Sequence, residues 1–242
     1  MMVITSLNND RVKELVKLKD KKYRDKNNLF FVEGYDIILE AYKNSLIKEL
    51  YVLEGIDVNM DVPVIYVSYD VMKKISDMES ISEYYAVCYK KEEADIGNKI
   101  IILDGVQDPG NLGTIIRSSA ALGIDAIIVS LDTVDEYNDK VLRATQGAIF
   151  KIPIFRMNIS EAIAKLKKDD TKIIVTSLQN SSDLKTIQKP KKFGIVLGNE
   201  AKGVHSEYLK LADEIVRIEM QNDVESLNVA MSAGIIIYYL LN

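Results

Sequence analysis

The sequence is short of the residues that most enzyme chemistries need: it has one cysteine, Cys88, and one histidine, His205. A lone cysteine excludes an internal disulfide and fits a reducing compartment. With Glu83, Tyr84, Tyr85 and Tyr89 around it and no activating cation, Cys88 reads as a small buried hydrophobe. One histidine leaves Ser-His-Asp and Cys-His constellations without material, and no zinc-ligand spacing occurs. His205, two residues after Gly203, is expected at the surface. No G-x-x-x-x-G-K-[ST] loop is present. The longest nearly apolar run, LNVAMSAGIIIYYLL, falls about five residues short of the ~20 that span a bilayer, and MMVITSLNNDRVK has no apolar core behind its first charges. These absences predict a cytoplasmic protein with neither a membrane nor a metal partner.

What is present is an ordinary globular composition, 48% apolar and 28% charged over 242 residues, long enough for one large domain or two small ones. The net charge of −5 is unevenly spread. RVKELVKLKDKKYRDK, Arg11 to Lys26, holds eight basic and three acidic residues, an excess of five, so the rest of the chain carries −10. Such a stretch is either a solvated helix face or a footprint for phosphate.

The order of apolar runs predicts two α/β regions. In the first, LFFVEG, KELYVLEG, VPVIYVS and Tyr84–Tyr89 read as strands, with helices over YDIILEAYKN and from about Tyr69 to Ile75. KKEEADIGN, Lys90 to Asn98, is charged and ends in Gly-Asn, as linkers do. The predicted boundaries are 1–92 for the first domain, 93–98 for the linker and 99–242 for the second. Beyond the linker, KIIIL, AIIV, KIIVT and FGIVLG are continuous Ile/Val-rich runs, the mark of parallel strands buried on both faces. Helices are expected near Asn111–Leu122, Asp139–Gln146 and Ser160–Lys168. A last helix, Leu227 to Leu241, is apolar on nearly all sides and should be buried in the core or against another subunit.

Three polar stretches interrupt this apolar framework. VQDPGNLGTIIRSSAALG follows the strand KIIIL, with Gly105, Gly110 and Gly113 spaced G-x4-G-x2-G. A dinucleotide fingerprint needs G-x-G-x-x-G, so a nicotinamide site does not fit. Asn111 is the expected helix cap, and Arg117 is either a buried ion-pair partner or an active-site cation. VLGNEAKGV ends a buried strand in polar residues at its carboxyl end, where open α/β sheets place ligands. VESLNVAMSAG sets Ser226, the expected cap, and Asn228 at the start of the final helix; a buried amide there needs partners.

These three stretches, in this order, resemble the SpoU (TrmH-like) family of RNA ribose 2′-O-methyltransferases of the SPOUT superfamily, with agreement running from Asp104 to Gly234. ITSLNNDRVKELVKLKDKKYRDKNNLFFVEG is similar to the opening of members that carry a ribosomal-protein-like RNA-binding domain ahead of the catalytic one. The resemblance implies an α/β chain with a small N-terminal α/β RNA-binding domain and a C-terminal parallel-sheet SPOUT domain with a deep trefoil knot. It implies S-adenosylmethionine as the methyl donor, held at Thr176 or Ser177, Leu197, Gly198, Ile218, Met220, Ser226 and Leu227. Gly198 would let the ligand approach the backbone. Asn111 and Arg117 would hold the target ribose and phosphate, supported by Glu200, Ser226 and Asn228. A guanidinium keeps its proton, so the expected work of Arg117 is to orient and stabilise the attacking oxygen. Arg11, Lys13, Lys17, Lys21, Lys22 and Arg24 would meet RNA, ribosomal rather than transfer RNA, and a homodimer through the knotted domain would complete the site.

Two departures qualify the match. Where the family has a proline-rich turn ending in glycine, this chain has Ile218-Glu219-Met220-Gln221-Asn222; where a Pro-Gln-Gly segment precedes the last strand of the first domain, it reads SISEYYAV. An RNA-binding paralogue without donor binding is therefore the alternative, and a transfer-RNA substrate the second.

Overall fold

The computed structural model describes residues 3–76, 80–91, 95–222 and 225–242. Packing divides the chain into two units, Met1–Glu92 with Tyr137–Phe150, and Glu93–Glu136 with Lys151–Asn242. The second sequence block is therefore not continuous: Tyr137–Phe150 belongs to the first unit. Residues 92–94 of the expected linker, and Val224 at the head of the third polar stretch, lie outside the described residues.

In the first unit the strands are β1 (Val3–Ile4), β2 (Leu29–Glu33), β3 (Ile47–Leu53), β4 (Val64–Val67) and β5 (Tyr84–Tyr89); the helices are α1 (Asp10–Lys17), α2 (Lys21–Asn27), α3 (Tyr35–Lys43) and α4 (Tyr69–Ile75). The sheet order is β1-β4-β3-β5-β2, parallel on the β1 side and antiparallel where β5 pairs with β3 and β2. Val12 and Leu15 of α1 pack on one core with Val71, Met72 and Ile75 of α4, as the apolar spacing of each helix requires. The segment Tyr137–Phe150 contains α6 (Asp139–Thr145), numbered in chain order after α5 of the second unit. Phe30 lies 4.5 Å from the ring of Tyr137 and 6.0 Å from that of Phe150.

In the second unit the strands are β6 (Lys99–Asp104), β7 (Ala126–Val129), β8 (Ile154–Arg156), β9 (Lys172–Thr176), β10 (Ser182–Asp183), β11 (Phe193–Gly198) and β12 (Glu214–Arg217). Its helices are α5 (Pro109–Leu122), α7 (Ile159–Lys168), α8 (Ser206–Leu209) and α9 (Val229–Leu241). All pairings are parallel, in the order β10-β12-β9-β11-β6-β7-β8. The four runs singled out as buried strands form the centre of this sheet, where Ile101, Ile127 and Ile195 are fully buried. β11, late in the chain, inserts between β6 and β9, with Gly198 opposite Asp104.

After β11 the chain folds straight back on itself. Asn199 and Gly203 exchange backbone hydrogen bonds of 3.1 and 2.9 Å, and Gly203 takes φ of +70°. A Cβ at Gly198 would fall on the Gly203–Val204 peptide. The structure supplies a further reason for this glycine beside the one read in the sequence: it admits the chain's own returning loop. Over-packing at such a site costs up to about 3 kcal/mol, and in a chain of this size that lowers the melting temperature by roughly 10 °C. Gly198→Ala is expected to show this loss in a thermal melt followed by circular dichroism, and a melt equal to wild type would refute the close-packed return.

Candidate functional site

Each of the three polar stretches occupies one edge of a single site. Asp108, not Asn111, caps α5, accepting the Asn111 N–H at 2.7 Å. The Asn111 side chain is thereby released for tertiary contacts: its Nδ2 donates to Glu200 Oε1 at 2.9 Å. Its Oδ1 accepts from Asn228 Nδ2 at 2.8 Å. Asn228 in turn caps α9, its Oδ1 accepting from the Ala230 and Met231 N–H groups at 2.8 and 3.3 Å. That corrects the assignment of the cap to Ser226, which is exposed and two residues too early. Every amide end in the series Asn228–Asn111–Glu200 has a partner, and one hydrogen-bonded line joins all three stretches. Partial burial pushes the Glu200 carboxyl up, but the Asn111 amide and backbone N–H groups at Glu200, Gln107 and Asp108 outweigh it and hold the group below the ordinary carboxylate range.

Arg117 resolves an alternative left open by the sequence. It is exposed on α5 and, among the described residues, makes no ion pair or hydrogen bond, so it is no buried ion-pair partner. It also stands apart from the Asn111 line. Thr114 and Ser118, its helical neighbours, line a groove of about 860 Å³ together with Asn111, Asn228, Met231 and Tyr238.

The positions expected to hold a donor lie where three adjacent parallel strands end. Thr176 closes β9, Leu197 and Gly198 close β11, and Ile218 follows β12. Thr176 Oγ1 donates to the Val196 carbonyl at 3.1 Å and the Ser177 N–H to the Val216 carbonyl at 3.0 Å, which ties the three ends together. Leu197 is buried; Ile218, Met220 and Leu227 are half-buried. Among the described residues, the backbone groups of Met220, Ser226 and Leu227 make no turn, loop or cap hydrogen bond. Half-buried apolar side chains beside unpartnered backbone polar groups fit a flat, polar-edged ligand such as an adenosine. The departure in the preceding turn is absorbed locally: Asn222 adopts φ of +58°, the left-handed turn a glycine would otherwise provide.

Sequence reasoning missed the partner of His205. Its backbone N–H donates to Asp104 Oδ2 at 2.8 Å, and its Nδ1 lies 2.9 Å from both oxygens of this buried carboxylate. The ring is about half exposed, so the expected surface position is only part of the account. An aspartate ending a buried strand was the available signal. Arg156 was missed too: it pairs with Glu136 and donates to the carbonyls of Ser130, Thr133 and Val134, fixing the connection after β7.

In the first unit the basic stretch is partly neutralised. Arg11 pairs with Glu49, Lys13 with Asp10 and Lys21 with Asp25. Lys17 and Lys22 are exposed. Arg24 is a correction: it is buried, and its guanidinium donates to the Leu18 and Lys19 carbonyls at 2.8 and 2.7 Å, beyond the last turn of α1. It satisfies carbonyls that the end of α1 leaves open and is not presented to a phosphate.

Residues 98–238 match the model of the SpoU rRNA Methylase family, and residues 9–86 that of the MRM3-like substrate binding domain. The chain is 35% identical over 246 residues to the 23S rRNA (guanosine(2553)-2′-O)-methyltransferase RlmP of Bacillus subtilis, covering 99% of each protein. Its fold is similar to that of an AdoMet-bound rRNA methyltransferase from Sinorhizobium meliloti, with a TM-score of 0.88, 30% identity, and 99% and 97% of the two chains covered. The AviRb methyltransferase of Streptomyces viridochromogenes, 22% identical, shares the fold at the same TM-score, covering 97% of each chain.

The contact with Asp104, by hydrogen bond and by charge, raises the His205 pKa above its ordinary 6.5. A raised imidazole pKa adds stability that is complete below 6.5 and lost as pH rises through the elevated value. The stability difference between wild type and His205→Ala, from denaturant melts across this range, is expected to be largest at the acid end and to shrink upward. A difference that grows with pH would contradict the pairing.

Proposed function

The chain belongs to the SpoU rRNA methylase family, and from that premise we propose that it transfers a methyl group from S-adenosylmethionine to a ribose 2′-hydroxyl of ribosomal RNA. The observation that carries this reading is the Asn228–Asn111–Glu200 line, which gathers three family motifs beside the strand ends that fit the donor. S-adenosylmethionine, when bound, supplies an electrophilic sulfonium methyl. The loops after β9, β11 and β12, in the trefoil knot implied by the family resemblance, present backbone groups of Ile218, Met220, Ser226 and Leu227 to it, with Leu197 and Thr176 at its base.

The remaining work is positioning and electrostatics. Glu200 and Asn228 hold the Asn111 amide in one orientation at the start of α5, so it meets the ribose without reorganising. Arg117, unpaired among the described residues, offers a guanidinium to the phosphate and to the 2′-oxygen as its proton leaves for water and negative charge gathers. The first unit docks the RNA through Arg11, Lys13, Lys17, Lys21 and Lys22. Action on ribosomal RNA, as the name of its Bacillus subtilis relative states for that protein, supports a cytoplasmic setting. Retention of the Asn222 turn and of the whole motif network favours this reading over a paralogue without donor binding.

We infer further that a second copy of the chain covers α9. Met231, Ile235 and Tyr238, at successive helical turns, are 59%, 38% and 62% exposed, an apolar stripe too large for solvent on a helix this hydrophobic. Asn111 and Asn228 border the same groove, so the partner would close the site.

Arg117→Ala is expected to lower methyl transfer to ribosomal RNA by about 10²–10³-fold, the usual effect of deleting one transition-state donor, while calorimetric affinity for S-adenosylmethionine stays at the wild-type value. Wild-type transfer would remove Arg117 from the mechanism. Tyr238→Glu is expected to convert the dimer to a monomer in sedimentation equilibrium and to reduce transfer with it; a wild-type protein that sediments as a monomer would rule out the covered α9.

A further inference from the structure

The first unit carries a concavity of its own, about 430 Å³, between α1, α2 and β3. That is within the range of pockets that take a small organic group. Its floor is apolar, made by Leu15, Leu29 and Val87. Its rim is basic: Arg11, Lys17, Lys26 and Lys48 stand against the two carboxylates Glu14 and Glu49. Lys26 and Lys48 are exposed and make no ion pair among the described residues. The Lys17 ammonium sits 5.8 Å from the centre of the half-buried Tyr23 ring. Behind them the buried Tyr51 hydroxyl donates to Glu49 at 2.7 Å, and Glu49 pairs with Arg11 at 3.2 Å, which fixes one guanidinium at the mouth.

Free cations over an apolar floor with an aromatic wall call for a ligand that is anionic on one side and flat and apolar on the other. A paired duplex offers only its phosphates to such a site; an unstacked nucleotide offers both a phosphate and a base face. We propose that this pocket holds one unstacked nucleotide of single-stranded RNA, its base against Tyr23 and the floor and its phosphates on Lys17, Lys26 and Lys48. The inference rests on the RNA-substrate reading and deepens it: the first unit would recognise a splayed-out nucleotide rather than a helical surface.

The test is fluorescence anisotropy of the full chain with a mixed-sequence single-stranded oligoribonucleotide and a duplex of equal length. Lys26→Ala with Lys48→Ala, both at exposed positions that leave the fold intact, is expected to weaken single-strand binding about tenfold. It should also reduce the slope of log affinity against log salt by about 1.4, two phosphates at about 0.7 each. Tyr23→Leu is expected to weaken the single strand by about tenfold through loss of one base stack, and Tyr23→Phe to leave it unchanged. Wild-type binding by the lysine variant, or equal losses for strand and duplex, would each overturn the pocket while leaving the RNA reading in place. Absence of binding to either RNA by the wild-type protein would overturn both.

Discussion

The pairing of β11 with β6 is the constraint on which the second unit depends. It sets residues nearly a hundred positions apart side by side, Leu197 opposite Leu103 and Gly198 opposite Asp104. Once that register is fixed, the rest of the site follows by proximity. The Asn199 amide reaches the Gly105 carbonyl at 2.7 Å, the returning loop brings His205 to Asp104, and Glu200 comes within reach of Asn111. A parallel pairing of this separation must close a long loop before any contact rewards it, so it belongs to the slow part of folding. The reactive edge is thereby made of parts that cannot assemble early.

The chemistry this edge supports asks little of acid–base side chains and much of placement. One histidine and one cysteine suffice on the proposed mechanism, because neither need act on the methyl group; the groups it uses are two amides and a carboxylate held in one line, with an exposed guanidinium. Asn111 illustrates the economy. Because Asp108 takes over the helix cap, the asparagine amide is free to connect two distant loops; at α9 the arrangement differs, and Asn228 itself caps the helix with its oxygen and uses its nitrogen across the site.

The legible parts of the fold were those carried by long or continuous patterns. KIIIL, AIIV, KIIVT and FGIVLG became the central strands, and the helices at α5, α7 and α9 were visible from their spacing. β8, β10 and β12 were not: they are two to four residues long and half-exposed or charged, so no run distinguishes them from loops. Helix α2, KKYRDKN, has one buried residue and that is an arginine, which hides its inner face from any apolar count. Arg24 and Lys22 are equivalent as letters; only the position of the α1 carbonyls tells them apart. The motif residues could be listed from resemblance, yet which of them touch was a tertiary fact, as was the packing of the returning loop on Gly198.

The excursion of Tyr137–Phe150 has a bearing on how such a protein can be taken apart or recombined. Phe30, buried on the edge strand β2 of the first unit, finds its aromatic neighbours more than a hundred residues downstream, so a gene fragment ending before residue 93 encodes that strand without them. Moving the recognition module to another enzyme therefore means carrying Tyr137–Phe150, or replacing the aromatic contacts it supplies to Phe30.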